Sequence, residues 1–294
     1  AAHGLPAEAV QHALASGDLD QAADVIKAAA QDALNDAALM TLLGWLEALP
    51  DAQVRTDAEL ALLKGVALYF TDWQAEAAVY ARAAERHLSP DTPSAIRGRL
   101  LSLQAHLAPE AQALPDPTAT VSLAREALDH LDRADVFFRA VTLNILGQGL
   151  EVQGDVAGAV EVYRQAATTG RRAAHHAGAL LVWINLALAL NELGRRREAL
   201  ALCRQHQQAW RDAPAPGPAL ADGFDLPWSL FSYEGNALDL AREQATRALA
   251  LFELLNVADG MLWGQYILAL IHLANGEFDA LRVVVERARQ HSAR

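Results

Sequence analysis

The sequence lacks residues on which disulfide-stabilised and nucleic-acid-binding proteins depend. Cys203 is the only cysteine, so no disulfide can close within the chain, and this usage is typical of a reducing compartment. Lys27 and Lys64 are the only lysines, and 24 basic residues face 36 acidic ones, which gives a net charge of -12. Because a nucleic-acid binder needs a basic surface that displaces counterions from phosphates, we expect no direct nucleic-acid contact from this chain.

The sequence also lacks long apolar runs. The longest, residues 179–190, is too short to span a bilayer and contains Asn185. The first six residues carry neither the positive charge nor the apolar stretch of a signal peptide. We therefore expect a cytoplasmic protein without a membrane partner.

Motifs for catalysis and metal binding are missing as well. The sequence has no Gly-x-x-x-x-Gly-Lys-Ser/Thr phosphate loop, no Gly-x-Ser-x-Gly elbow, and no His-Glu-x-x-His or Cys-x-x-Cys spacing. His175 and His176 are adjacent, and neighbouring helical side chains point about 100° apart, so they are poorly placed to share a metal. Cys203 falls on an apolar helix stripe, where a buried small hydrophobe is expected. We predict no catalytic residue, metal or cofactor; a helical-repeat enzyme is the remote alternative.

Alanine and leucine dominate what is present. Hydrophobic residues make up 52% of the 294 residues, β-branched residues are sparse, and few segments alternate apolar with polar positions. Because alanine and leucine are good helix formers, the composition favours an all-α protein with ample apolar material for a continuous core.

One pattern of small residues recurs along the chain. Its clearest copy runs from Gly147 through Leu150, Gly154 and Ala159 to Ala166. The same frame predicts turns at Gly17, Asp72, residues 114–117, Gly154, Gly194, Asn236 and Gly276. The last four turns are spaced 40, 42 and 40 residues apart. A repeat of this length is typical of stacked helix pairs.

Each recurring position has a mechanical reason. A small residue such as Ala77, Ala159 or Ala199 lets two antiparallel helices approach to about 8–10 Å. Glycine or asparagine at the turn accepts the left-handed conformation that ends the first helix, and Asp18 or Asp155 caps the second. Because no pair can bury its apolar face alone, the pairs must stack. We predict an all-α, right-handed α-solenoid of about seven antiparallel helix pairs, forming a single domain over residues 1–294.

The pattern resembles the tetratricopeptide repeat, with a longer spacing than that family usually has. The longer spacing is similar to the superhelical sensor region of MalT-like regulators, a branch of the LuxR-type transcription regulators. Two stretches sharpen the resemblance: EAVQHALASGD at residues 8–18, and GWLEALP at residues 44–50, followed by LALL at residues 60–63. The resemblance covers essentially the whole chain, although the remainder is general repeat sequence.

The resemblance implies a function. MalT-like regulators are signalling ATPases with a nucleotide-binding module, a winged helix, this superhelix and a C-terminal DNA-binding helix-turn-helix. In them the superhelix binds the inducer and helps to control ATP-dependent self-association. This chain would correspond to the superhelix alone, so we expect it to be a fragment of a longer protein. The alternative is a generic tetratricopeptide scaffold that docks a peptide or partner protein, and flanking ATPase and helix-turn-helix modules would distinguish the two.

Aromatic and polar side chains predict a ligand site on the inner, concave face. Asn144, Gln148 and Glu151 lie one turn apart on the first helix of the fourth pair and interrupt its apolar run. Five aromatic residues fall in the first helices of the last three pairs: Trp183, Trp228, Tyr233, Trp263 and Tyr266. Polar groups amid aromatic ones are what an oriented small-molecule or peptide site needs. The alternative is that the aromatic residues are core spacers and the polar stripe is solvated.

Two further segments have an unusual composition. Residues 212–227 are rich in proline and glycine and are longer than a helix-helix connection requires. They are predicted to form a slack linker, with a fold over the ligand groove as the alternative. Residues 195–197, three consecutive arginines, are predicted to be a solvated turn near a helix end.

Overall fold

The computed structural model describes most of the chain, namely residues 6–36, 38–71, 73–108, 117–170, 176–213, 217–255 and 257–292. All regular secondary structure in these ranges is helical, and no strand occurs in them. The all-α class predicted from the composition is confirmed.

The described residues form seventeen α-helices and one short 3-10 helix. In chain order they are α1 (Pro6–Ser16), α2 (Leu19–Asn35), α3 (Leu39–Glu47), α4 (Asp51–Thr56), α5 (Ala58–Tyr69), α6 (Gln74–Arg86), α7 (Ser94–Leu107), α8 (Pro117–His130), α9 (Val136–Val152), α10 (Val156–Gly170), α11 (His176–Glu192), α12 (Arg196–Arg211), α13 (Gly217–Leu220), the 3-10 helix (Ala221–Phe224), α14 (Asp225–Glu234), α15 (Leu238–Leu255), α16 (Ala258–Ala274) and α17 (Phe278–Ser292). Seven consecutive pairs account for fourteen of them: α1–α2, α5–α6, α7–α8, α9–α10, α11–α12, α14–α15 and α16–α17. The predicted tetratricopeptide-type solenoid is confirmed, and its right-handed sense stays a prediction.

The chain divides into two compact units. Unit 1 comprises residues 1–155 and 165–175, and unit 2 comprises residues 156–164 and 176–294. Helix α10 is shared, because its first part belongs to unit 2 and its last part to unit 1. The single domain over residues 1–294 stays a prediction.

The turns inside the pairs repeat one backbone geometry. Positive φ values occur at five predicted turn residues: Gly17 at 76°, Gly154 at 83°, Gly194 at 73°, Asn236 at 58° and Gly276 at 72°. After the last four, the next amide donates to the carbonyl oxygen five positions earlier, as Asp155 does to Leu150 at 2.9 Å. These turn predictions are confirmed, whereas Asp72 and residues 114–116 lie outside the described residues. Asp18 accepts from the amide of Gln21 at 3.0 Å, so its predicted capping role is confirmed too.

Small residues stand where the helices approach most closely. Ala77, Ala159 and Ala199 are fully buried, as their shared repeat position predicts. In unit 1, a Cβ on Gly65 of α5 would lie 2.9 Å from a methyl carbon of Leu103 and 3.4 Å from the carbonyl oxygen of Ala77 on α6. A larger residue at this position would therefore push α5 away from its neighbours.

The long interval between the first two predicted turns is filled by extra helices in unit 1. Helices α3 and α4 lie between the first two pairs, and Leu42, Leu46 and Val54 are fully buried there. The carboxylate of Asp57 then caps α5, accepting from the amides of Glu59 and Leu60 at 2.9 and 3.0 Å. All residues of α5 from 60 to 68 are buried, which makes this helix the centre of unit 1.

The slack linker predicted at residues 212–227 is wrong for the part that the structure describes, from residue 217 onward. Phe224 and Ala221 are fully buried, and the 3-10 helix packs against α11, α12 and α15. A Cβ on Gly223 would lie 2.5 Å from a methyl carbon of Leu180, and Nε2 of Gln207 donates to the carbonyl oxygen of Ala221 at 3.3 Å. The prolines and glycines break the regular helix, but the apolar residues among them still fill the core of unit 2.

The arginine run at residues 195–197 is more than a solvated turn. Arg196 forms an ion pair with Glu234, and its Nη2 donates to the carbonyl oxygen of Phe231 at 2.6 Å. The start of α12 is thereby fastened to the end of α14. Arg195, which directly precedes α12, pairs with Glu198 in the first turn of that helix at 2.6 Å.

The described helices are short or carry polar residues at regular intervals. Across these segments, no helix is both long enough and apolar enough to span one.

Candidate functional site

A cluster of polar side chains joins three helices of unit 1. Arg99 on α7 lies at its centre, where Nε donates to Oδ2 of Asp135 at 2.6 Å and Nη2 donates to Oε1 of Gln31 at 2.7 Å. The side chain of Asp135, just before α9, is only 2% exposed. Arg99 therefore fastens α2 and the start of α9 to α7, and α2 contacts α9 directly as well.

The cluster continues to the start of α5. Nζ of Lys27 lies 3.0 Å from Oδ2 of Asp57 and 3.1 Å from Oδ1 of Asp24. Burial raises the pKa of Glu59, because the charged carboxylate is disfavoured there, while Arg99 and Lys27 act in the opposite direction. The partly buried positive charges of Lys27 and Arg99 are thus surrounded by carboxylates from several helices.

Our sequence analysis missed this cluster. Its members come from distant parts of the chain, and no local spacing connects them. The scarcity of lysine was the one signal in the sequence that could have drawn attention to Lys27. Both lysines form ion pairs in the structure: Lys27 with Asp24 and Asp57, and Lys64 with Asp51 at 3.3 Å.

The polar residues predicted on α9 share one face of that helix in unit 1. Asn144, Gln148 and Glu151 are half-buried, and Leu143 and Ile145 beside them are buried. The predicted interruption of an apolar helix by a polar stripe is therefore present. The role of these three residues in ligand binding stays a prediction.

Two of the predicted tryptophans in unit 2 pack against α12. The ring of Trp183 on α11 stacks on His206, with 3.6 Å between centroids and 22° between planes. Nε1 of Trp228 on α14 donates to Oε1 of Gln207 at 3.1 Å, and the guanidinium of Arg204 lies 5.8 Å from the Trp228 ring centroid. Both indoles are half-buried and held by neighbouring side chains.

The remaining predicted aromatic residues differ in exposure. Trp263 and Tyr266 on α16 are 39% and 52% exposed and meet edge to face, with 5.6 Å between ring centroids. Tyr266 also lines an open groove of about 410 Å³ between α16 and α17, together with Ala269, Val285 and Arg289. Tyr233 on α14 is half-buried. Trp183 and Trp228 therefore lie against α12, whereas Trp263 and Tyr266 form a separate pair on α16.

The lone cysteine is placed as a core residue and not as a nucleophile. Cys203 is fully buried, as predicted, and burial raises the pKa of its thiol to about 12. The nucleophilic thiolate is therefore scarce at neutral pH. Within the described ranges, no group of three or more His, Cys, Asp and Glu side chains is placed to hold a metal ion.

Comparison with known families identifies the repeat. The sequence profile of the MalT-like TPR region matches residues 98–294, about two thirds of the chain. The chain belongs to the MalT-like TPR family. All eight predicted site residues lie inside the matched part.

Relatives of this MalT-like TPR chain are considerably longer. It is 28% identical to the HTH-type transcriptional regulator MalT of Yersinia enterocolitica over 308 residues, covering 99% of this chain and 32% of that protein. The protein of the same name from Cronobacter sakazakii is 28% identical over 171 residues, covering 58% of this chain and 19% of that protein. The chain thus spans about a third or less of the length of these relatives.

A solved structure shows a weaker likeness to the MalT-like TPR chain. BtubC (BKLC) from P. vanneervenii superposes with a TM-score of 0.42 at 18% identity, covering 82% of this chain and 91% of that chain. A likeness at this level carries no argument about function.

Proposed function

We propose that this chain is the ligand-sensing and protein-interaction superhelix of a MalT-like, ATP-dependent transcription regulator. The observation that carries the proposal is membership in the MalT-like TPR family, together with an alignment over 99% of the chain to a protein named HTH-type transcriptional regulator MalT. In this proposal the chain works in the cytoplasm and catalyses nothing itself. ATP hydrolysis and DNA binding belong to other parts of the regulator.

The proposed ligand is a small neutral metabolite with several hydroxyl groups, such as a sugar. Asn144, Gln148 and Glu151 would exchange hydrogen bonds with its hydroxyls in unit 1, since amides and carboxylates are suited to that task. The acidic chain, with a net charge of -12, disfavours polyanions.

The aromatic residues of unit 2 are proposed as a ligand contact of that unit by itself, because they offer rings on which sugars stack. Trp263 and Tyr266 are the most exposed of them. Trp183, Trp228 and Tyr233 are half-buried and would offer only the ring edges that their neighbours leave uncovered. Because the polar and aromatic residues lie in different compact units, each group is tested by itself.

The test is a titration with neutral mono- and oligosaccharides, followed by tryptophan fluorescence and calorimetry. We expect Asn144→Ala and Trp263→Ala each to raise the dissociation constant by roughly tenfold, because each variant removes one hydrogen bond or one ring contact. Trp73→Ala is the matched control, because Trp73 is 55% exposed and lies outside the proposed site. If a sugar binds and neither site variant weakens it, the proposed site is wrong.

The second candidate function is a scaffold that docks a peptide or a partner protein. The exposed apolar side chains of α16 and α17, among them Tyr266 at 52% and Phe278 at 57%, favour it. Binding of a partner protein without binding of any small molecule would establish this alternative. The complete coding sequence tests the regulator itself, since an ATPase module and a helix-turn-helix are expected only in the first case.

A further inference from the structure

Helix α12 carries a stripe of positive charge in a chain whose net charge is -12. Arg197, Arg204 and Arg211 follow one another at intervals of seven residues, and all three are exposed. Because seven residues make almost two complete turns, these side chains lie on one face of the helix. The helical rise spaces them about 10.5 Å apart, so this α12 stripe is about 21 Å long.

The three arginines form no ion pair within the part of unit 2 that the structure describes. The carboxylate of Asp212, which directly follows Arg211, instead accepts from Nε2 of Gln208 at 2.9 and 3.0 Å. Other arginines of the unit are paired: Arg164 and Arg195 with Glu198, Arg196 with Glu234, Arg242 with Glu277, and Arg247 with Asp225. The charges of the α12 stripe are therefore available to an outside partner.

Apolar and aromatic side chains accompany the middle of the stripe. Leu200 is half-buried and lies one turn from both Arg197 and Arg204. The guanidinium of Arg204 lies 5.8 Å from the ring centroid of Trp228 on α14, and Gln207 holds the indole Nε1 at 3.1 Å. Tryptophan and arginine are enriched among the residues that dominate binding at protein interfaces. The stripe thus offers flat apolar contact as well as charge.

The spacing of the charges selects the kind of partner. One small anion cannot bridge three charges that are spread over about 21 Å. Nucleic acid carries a phosphate about every 3.4 Å along each strand, so the stripe would neutralise few of them while the acidic chain repels the rest. An α-helix with carboxylates at seven-residue intervals has the same rise as α12 and matches the arginines one to one.

We propose that the α12 stripe is a docking surface for an acidic, amphipathic helix of a partner protein. Carboxylates of that helix pair with Arg197, Arg204 and Arg211, and an apolar side chain beside the central carboxylate packs against Leu200 and Trp228. Because exposed ion pairs are individually weak and screened by salt, the complex is transient and salt-sensitive. The inference rests on the protein-interaction part of the proposed function, and its arginines take no part in sugar binding.

The probe is a synthetic helical peptide of about 22 residues, with glutamate at three positions seven residues apart and leucine beside the central one. Fluorescence anisotropy of the labelled peptide measures its binding to the 294-residue chain at low salt. We expect a dissociation constant of about 10⁻⁴ M that rises with salt concentration. Arg204→Glu raises this constant at least about tenfold, and a peptide with lysine in place of the central glutamate restores binding to that variant.

Arg287→Glu is the matched control, because it makes the same charge change at an exposed position of α17 and leaves peptide binding unchanged. A peptide of the same composition, with its glutamates distributed around the helix, binds at least about tenfold more weakly. Circular dichroism confirms that each variant keeps its helices.

The proposal is overturned if the wild-type chain binds neither peptide, or binds both equally. It is also overturned if the lysine peptide fails to rescue Arg204→Glu, or if duplex DNA binds the stripe more tightly than the acidic peptide does. The sugar titration is measured on the same chain, so failure of peptide docking is distinguished from failure of ligand sensing.

Discussion

Arg242 donates from Nη2 to Oε1 of Glu277 at 2.7 Å and so joins α15 to the start of α17. Arg164 and Glu198 form the corresponding ion pair between α10 and α12. Each contact links the second helices of consecutive pairs in unit 2. These side chains are more than a third exposed, so water screens the attraction and each ion pair stabilises the stack only modestly.

The Glu277 carboxylate predicts a pH dependence. Hydrogen bonds from Arg242 and His272 lower its pKa to about 2. Because the folded pKa lies below the ordinary value of 4.5, the stabilisation is fully present above pH 4.5 and is lost as the pH falls toward 2. We expect Glu277→Gln to melt slightly lower at pH 7 and to lose less stability than the wild-type chain on acidification. Glu253→Gln, at an exposed position of α15, serves as the control and should leave the acid profile unchanged.

The buried His106 of unit 1 predicts a second pH dependence. Burial beside Tyr69 and Phe70 lowers its pKa to about 4 from 6.5, although a hydrogen bond to the carbonyl oxygen of Ser102 partly opposes this. Folding therefore requires the neutral ring, so its contribution is present above pH 6.5 and is lost as the pH falls toward 4.

The variant that tests this is His106→Leu, which cannot titrate. Its unfolding free energy should fall by up to about 3 kcal/mol less than that of the wild-type chain between pH 7 and pH 4. Chemical denaturation at a series of pH values measures the difference. His87→Leu, at an exposed position, should follow the wild-type profile, and an unchanged profile for His106→Leu would show that His106 does not resist protonation.

Bulk at the repeat position of Ala159 should destabilise the fold. Ala159→Leu adds three carbon atoms at a fully buried site and should lower the unfolding free energy by about 1–3 kcal/mol. Ala157→Leu makes the same change at an exposed position of α10 and should alter stability by less than about 0.5 kcal/mol. Equal melting temperatures for the two variants would mean that position 159 tolerates bulk.

A glycine-to-alanine change should have opposite signs at two positions. Gly194 has a φ of 73°, so Gly194→Ala forces an L-residue into the left-handed region and should cost about 1 kcal/mol. Gly44 lies within α3, and a Cβ added there would have no neighbouring atom within 4 Å. Gly44→Ala should therefore raise the unfolding free energy by about 0.5–1 kcal/mol. Thermal denaturation of both variants is the measurement. Destabilisation by Gly44→Ala would show that this position is more crowded than the structure indicates.

The sequence predicted the features that depend on neighbours along the chain. The turns at Gly154, Gly194, Asn236 and Gly276 were found because a left-handed turn residue is a local requirement that glycine or asparagine meets. The buried alanines of the repeat were found for the same reason, since one frame places each of them at a helix crossing.

The features that sequence reasoning missed depend on tertiary packing. Residues 217–227 contain the breakers typical of a loose linker, yet Phe224 is fully buried because α11, α12 and α15 leave room for it. The contacts of Arg99 with Gln31 and Asp135 follow no spacing rule, because the three residues lie on different elements. For the predicted ligand residues, composition suggested suitable chemistry, but it could not indicate that Trp183 would stack on His206.

The contact between Arg99 and Gln31 also bears on how unit 1 folds. In a simple repeat array each pair touches only its neighbours, so pairs can fold and unravel one after another from an end. Arg99 and Gln31 are 68 residues apart and belong to the third and first pairs. Forming this contact carries the entropy cost of closing the long loop between the two residues. Unfolding the first pair alone requires that the contact be broken. We therefore expect the helices from α2 to α9 to unfold as one cooperative block, in which hydrogen exchange protects α2 and α7 to a similar degree.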